Sequence, residues 1–199
     1  MKHSTPNLIS LIGSRICHDL ISPIGAITNG LELMQMTGNA VTPEVALISE
    51  SVGDAAARIC FFRIAYGLAV PHQNMSRAEI MRTLKGGALS TRIKLQWGPL
   101  EEVRRVEVRL VFLALQCFES LMPYGGQVTV TRDQDQWTIT GTAEKLRLRP
   151  ELLACLTGPA SSDDLSPAEV QFILLPLLLD NDNRRINLSH DDSQIAIRF

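Results

Sequence analysis

The sequence predicts an α+β protein: an N-terminal helical hairpin suited to pairing with a second copy, then one sheet with helices on one face. Three observations carry this. Apolar residues recur every three or four positions over residues 7–35 and again over 43–67, the period of a helix with one buried stripe. The stretch from Pro71 to Ser76 interrupts that pattern. Beyond it, short runs of period two alternate with helical runs, as in a layered mix of sheet and helix. Two regions are therefore expected, 1–70 and 71–199.

In the first helix the stripe is Ile9, Ile12, Ile16, Leu20, Ile24, Ile27, Leu31 and Met34. Pro23 falls inside it, where a proline costs about 3 kcal/mol and bends the helix. Gly38 and Asn39 mark a turn. Thr42-Pro43-Glu44 then opens a second helix, with an N-cap, a proline suited to the first position and an acid that complements the dipole. Its stripe is Ile48, Val52, Ala55, Ile59, Phe62 and Tyr66, and Gly67 and Pro71 end it. A hairpin buries two stripes poorly by itself. A second copy completes a four-helix bundle, although the C-terminal region could instead cover the stripe.

In the second region, Ser76-Arg77-Ala78-Glu79 reads as a capping box and Gly86-Gly87 as a helix stop. Ile93 to Trp97 alternates like a strand, and Val106 to Met122 is a strongly apolar helix. Val128 to Thr131 and Trp137 to Thr140 form a hairpin around Asp133-Gln134-Asp135. A short helix covers Pro150 to Leu156. Ser166-Pro167-Ala168-Glu169 caps another, running to about Leu179. Ile186-Asn187-Leu188 and Ile195-Ala196-Ile197 are the last strands.

Composition excludes several classes. Apolar residues make up 45% of the 199, enough for a core and too many for a disordered chain. A net charge of −2 gives no field for nucleic acid or anionic lipid. The first residues lack the apolar core of a secretory signal. The longest apolar run, Phe172 to Leu179, contains Pro176 and falls far short of the roughly 20 residues that span a bilayer. Cys17, Cys60, Cys117 and Cys155 are too widely spaced for a metal site and read as small core residues of a reduced cytoplasm.

The stretch with chemistry in it is His18-Asp19-Leu20-Ile21-Ser22-Pro23-Ile24. His18 falls beside the stripe, on a face shared with Ser14, Ser22, Gly25 and Asn29, all small or polar. An imidazole there projects over a low surface that another protein can approach. Neutral histidine offers one nitrogen as nucleophile while a hydrogen bond holds the other, and Asp19 is the adjacent carboxylate for that task. His3, in the tail, His72, in the linker, and His190, in a polar loop, have no such setting and read as solvated.

The run His18 to Ile24 resembles the H-box of sensor histidine kinases. Its continuation, Gly25-Ala26-Ile27-Thr28-Asn29-Gly30-Leu31-Glu32-Leu33, and the end of the second helix, Phe61-Phe62-Arg63-Ile64-Ala65-Tyr66-Gly67, more specifically resemble the ChpT-type histidine phosphotransferases. The resemblance covers nearly the whole chain. It implies a dimeric helical bundle followed by a domain shaped like the kinase ATP-binding domain. The nucleotide elements of that domain are missing. The helix that bears magnesium-binding asparagines in kinases has Gln116 or Cys117 at the key position. Thr140-Gly141-Thr142-Ala143-Glu144 stands where Asp-x-Gly-x-Gly is expected. Of the glycine-rich lid, over Leu156 to Val170, only Gly158 remains.

The resemblance implies a phosphorelay carrier. His18 takes a phosphoryl group from a receiver-domain aspartate and passes it to a second receiver, each receiver supplying its own Mg2+, so that no resident cofactor is expected. Catalysis is then mainly alignment and charge neutralisation. The expected catalytic residues are His18 and Asp19. The expected docking surface is Ser14, Arg15, Ile21, Ser22, Gly25 and Asn29, with Arg15 free to meet a receiver acid. Two rivals are an atypical kinase, which needs the missing nucleotide motifs, and a receiver-binding module whose His18 is never phosphorylated.

Overall fold

The computed structural model describes residues 12, 15, 16, 19, 20, 22–27, 29, 30, 33, 34, 43–67, 72–85, 89–158 and 165–199. The described residues between 12 and 34 are all helical, Pro23 included. Of the expected first stripe, Ile9 and Leu31 lie outside them, as do Gly38, Asn39, Thr42, Pro71 and the helix stop at Gly86-Gly87. Helix α1 spans Pro43–Ala65. It meets the earlier helical residues at two levels. Arg58 lies beside Asp19, and a Cβ added to Gly30 would sit 2.5 Å from the Ile48 side chain. A larger residue there would force the Ile48 side chain to shift.

The end of α1 is fastened to helix α3 (Arg105–Leu121). A helix leaves its last carbonyls unpaired. Here Arg105 donates to the Arg63 carbonyl at 2.8 Å and Arg109 to that of Ala65 at 3.2 Å. The Phe61 and Phe112 rings stack 4.7 Å apart. Phe61, Phe62, Ile64 and Ala65 thereby join the main core, and Ile12 and Ile16 pack against it. Part of the apolar stripe is therefore covered by the chain's own C-terminal half. Farther along α1, Leu47, Val52 and Ile59 stay exposed.

The main sheet has strands β2 (Ile93–Trp97), β4 (Gly126–Asp133), β5 (Gln136–Thr142), β6 (Asn187–His190) and β7 (Gln194–Arg198) in the order β2-β4-β5-β7-β6. Its pairs are antiparallel except β2 with β4. That parallel pair follows from topology, because α3 carries the chain back between them. A second ladder joins β1 (Asn74–Met75) to β3 (Val103–Arg104). It is too short to announce itself in sequence.

One face of the sheet is apolar. Val128 and Val130 on β4, Trp137 and Ile139 on β5, and Ile195 and Ile197 on β7 are buried. Alternate positions such as Lys94, Gln96, Gln127 and Thr131 reach solvent. This is the pattern of a sheet covered on one side. Helix α3 is the cover, and Phe118 and Met122 rest on Gly141, where a Cβ would be 2.5 Å from the Phe118 ring. Helices α2 (Arg77–Lys85), α4 (Pro150–Thr157) and α5 (Gln171–Asn181) complete the layer. Both capping boxes form, Ser76 with Glu79 ahead of α2 and Ser166 with Glu169 at the 3-10 turn ahead of α5. Glu107 anchors the start of α3 to the sheet. It is buried and accepts from the Trp137 indole at 2.8 Å and from Arg184 at 2.9 Å.

Candidate functional site

The helical residues 12–34 carry most of the expected site. Of its members, Ser14, His18 and Ile21 lie outside the described residues. Ser22 and Asn29 are exposed, and a Cβ added to Gly25 would meet nothing within 4 Å among the described residues. Among the described residues these three define an open, polar face without bulky neighbours.

Of the other two described members, Asp19 is buried and Arg15 nearly so. Arg15 Nη2 lies 2.6 Å from Asp19 Oδ2, and the side chains are 12% and 7% exposed. Arg58 approaches the same carboxylate oxygen from α1 at 3.6 Å. The second guanidinium nitrogen of Arg15 donates to the Ala168 carbonyl at 3.2 Å. The expectation that Arg15 is free to meet a receiver acid is therefore corrected. Arginine four residues before aspartate on a helix is an intrahelical ion-pair spacing, and burial makes that pairing obligatory. The Arg15/Asp19 spacing was a legible signal of this pairing.

Two charged members of this cluster had no signal in the sequence, since their partners come from distant elements. Arg58 is one. The other is Glu119 on α3, whose Oε1 accepts the Ser90 N–H at 2.7 Å. Burial raises the Glu119 carboxyl above the ordinary value, opposed by the Ser90 hydrogen bond and by the charges of Arg15 and Arg58. On its outer side the cluster opens into a cleft of about 740 Å3 between Gly53, Asp54 and Arg58 of α1 and Ser90, Arg92 and Glu119.

A neutral polar network lies deeper. The Tyr66 hydroxyl donates to Gln116 Oε1, and burial pushes the Tyr66 phenol well up from its ordinary value. Gln171 Nε2 donates to the Ala168 carbonyl at 2.9 Å, to Ser120 Oγ at 3.2 Å and to the Gln116 carbonyl at 3.4 Å. Ala168 thus receives hydrogen bonds from Arg15 and Gln171, while Arg149 pairs with Glu169. The segment ahead of α5 is pinned from three directions. Cys117, beside Gln116, is fully buried, and burial holds its thiol well above the ordinary value.

Among the described residues no group of three histidine, cysteine or acidic side chains is placed to hold a metal ion. No helix among them is long and apolar enough to cross a membrane.

The family model of the histidine phosphotransferase C-terminal domain matches residues 77–194. The chain belongs to the histidine phosphotransferase family. That match begins after the helical residues of the site, but a relative extends it. Over 191 residues, 93% of this chain and 91% of the other, the sequence is 31% identical to "Protein phosphotransferase ChpT" of Brucella abortus (strain 2308). A solved structure, "1.7 Angstrom Structure of a Bacterial Phosphotransferase", aligns with a TM-score of 0.82 at 30% identity, over 100% of this chain and 98% of that one. The ChpT-type resemblance read from the sequence holds, and with it the assignment to a histidine phosphotransferase of a phosphorelay.

Proposed function

We propose that this phosphotransferase carries its phosphoryl group on His18, taking it from the aspartate of one response-regulator receiver domain and delivering it to another. The observation that carries the reading is the open face of Ser22, Gly25 and Asn29. Helical spacing assigns position 18 to that face. Phosphoryl transfer between two proteins needs such access, because attacking and leaving atoms must come into line at close range. Ser14, Ile21, Ser22, Gly25 and Asn29 form the docking surface in this reading, and Asp19 steadies the helix beside His18.

The working unit is a homodimer, its first 70 residues forming an antiparallel hairpin that joins a second copy in a four-helix bundle. Leu47, Val52 and Ile59, exposed along α1, support it. Residues 71–199 act as a scaffold and hold no nucleotide. In support, Gln116 is engaged by Tyr66, Cys117 is enclosed, and Phe118 fills the space above Gly141. The Mg2+ of the reaction stays with the receiver.

The test is transfer from a receiver domain labelled with radioactive acetyl phosphate. Wild-type chain takes the label and His18→Ala does not, with circular dichroism unchanged. Label on the alanine variant would move the phosphoacceptor elsewhere, and micromolar Mg-ATP affinity by calorimetry would restore the kinase reading.

A further inference from the structure

We propose that Arg15 and Arg58 are positioning residues for phosphoryl transfer, acting through Asp19. This rests on the reading of His18 as phosphoacceptor. Asp19 is the residue after His18 in sequence, and its carboxylate is buried. A buried carboxylate stays charged only with cations and hydrogen bonds around it. Two guanidiniums supply the positive charge from different elements, Arg15 at 2.6 Å from its own helix and Arg58 at 3.6 Å from α1. Glu119 of α3, which also feels both guanidiniums, brings the cluster to two cations and two carboxylates.

The geometry does more than neutralise charge. Arg15 and Asp19 bracket position 18 by one helical turn. Arg15 fastens that turn to the Ala168 carbonyl ahead of α5, and Arg58 fastens it to α1. The turn is thus held against both halves of the chain. A buried ion pair contributes little net stability compared with packed apolar residues, so its value here lies in orientation. Neither Arg15 nor Asp19 is exposed enough to serve mainly as a docking contact. Their effect is expected on the rate of transfer within the complex, where a misplacement of about 1 Å costs on the order of 10²-fold.

The experiment measures single-turnover transfer to the full-length chain from an acetyl-phosphate-labelled receiver domain that labels the wild type. Rates are taken across receiver concentrations. Arg15→Gln and Arg58→Gln are expected to lower the saturating rate by about 10- to 10²-fold, with the half-saturating receiver concentration unchanged. Arg58→Lys, which keeps the charge, recovers part of the rate. The double variant Arg58→Gln/Asp19→Asn is no slower than Asp19→Asn alone, since residues acting through one another are not additive. The rate constant, unlike the amplitude, does not depend on how much of a variant folds. Wild-type rates in both glutamine variants, or a double variant slowed by the product of the single effects, overturn the inference. So does a raised half-saturating concentration at an unchanged rate, which would make the arginines docking residues. His18→Ala, run beside them, keeps the two claims apart. If it accepts label, the phosphoacceptor reading falls. If it is inert while the arginine variants transfer normally, only the positioning role does.

Discussion

Replacing Ile59 by aspartate separates a single chain from a pair. Within one chain Ile59 is 51% exposed, and a substitution at such a surface position changes stability by about 0.5 kcal/mol or less. In a four-helix bundle the exposed half of the side chain is covered by the partner. Full burial of an isoleucine contributes about 1.5–3 kcal/mol. The remaining half, counted on both chains, therefore contributes roughly the same amount to the pair. The variant also buries two carboxyl groups that have no partner, each costing about 1–3 kcal/mol after they neutralise. The total is about 4–9 kcal/mol, or about 10³- to 10⁶-fold in the dissociation constant at 1.4 kcal/mol per decade. Sedimentation equilibrium over a range of concentrations reads this directly. Wild type is expected at the mass of two chains and Ile59→Asp at one, with unchanged far-ultraviolet circular dichroism. A variant that keeps the two-chain mass would place the interface away from this face of α1, and a wild-type mass of one chain would remove the bundle.

Two further outcomes follow from buried charge. Glu107→Ala strands the Trp137 indole N–H and leaves Arg184 without its carboxylate, which costs about 3–5 kcal/mol. For a chain of this size the melting temperature should fall by about 6–20 °C, and a calorimetric drop below about 3 °C would mean that the network is dispensable. Glu119 gives a dependence on pH. Its carboxyl is raised above the ordinary 4.5, so the folded state binds that proton more tightly than the unfolded one. The stability it contributes is full below the ordinary value and is lost as pH rises through the raised one. Urea midpoints of wild type relative to Glu119→Gln should therefore decline as pH rises above the ordinary 4.5; a rise instead would contradict the assignment.

Local signals in the sequence were faithful. Ile93 to Trp97 is a strand at both expected ends, the hairpin turns at Gln134, and both capping boxes form. The apolar helix expected over Val106 to Met122 is displaced by one residue, to Arg105–Leu121. In each case the residues that decide the structure are neighbours in the chain. What escaped was non-local. Arg58 and Glu119 are ordinary charged helix residues until folding brings them to Asp19 and Ser90. Glu107 is likewise unremarkable until Trp137 and Arg184 arrive. Arg15 was misjudged for a different reason. Its partner lay one turn away in plain sight, but whether that pair faces solvent or core depends on where the C-terminal half packs.

The position of β5 bears on how the chain is made. Its hydrogen-bonding groups are shared between β4, its immediate predecessor, and β7, which begins more than fifty residues later at Gln194. During synthesis the β4–β5 hairpin can close early, whereas the opposite edge of β5 waits for β7, the last strand in chain order. Closing so long a loop is slow, and an unpaired edge beside apolar Trp137 and Ile139 is a template for pairing with other chains. An incomplete nascent chain therefore presents its stickiest surface until translation reaches β7. Loss of that strand would show first as poor recovery of soluble protein, before any effect on phosphate traffic could be measured.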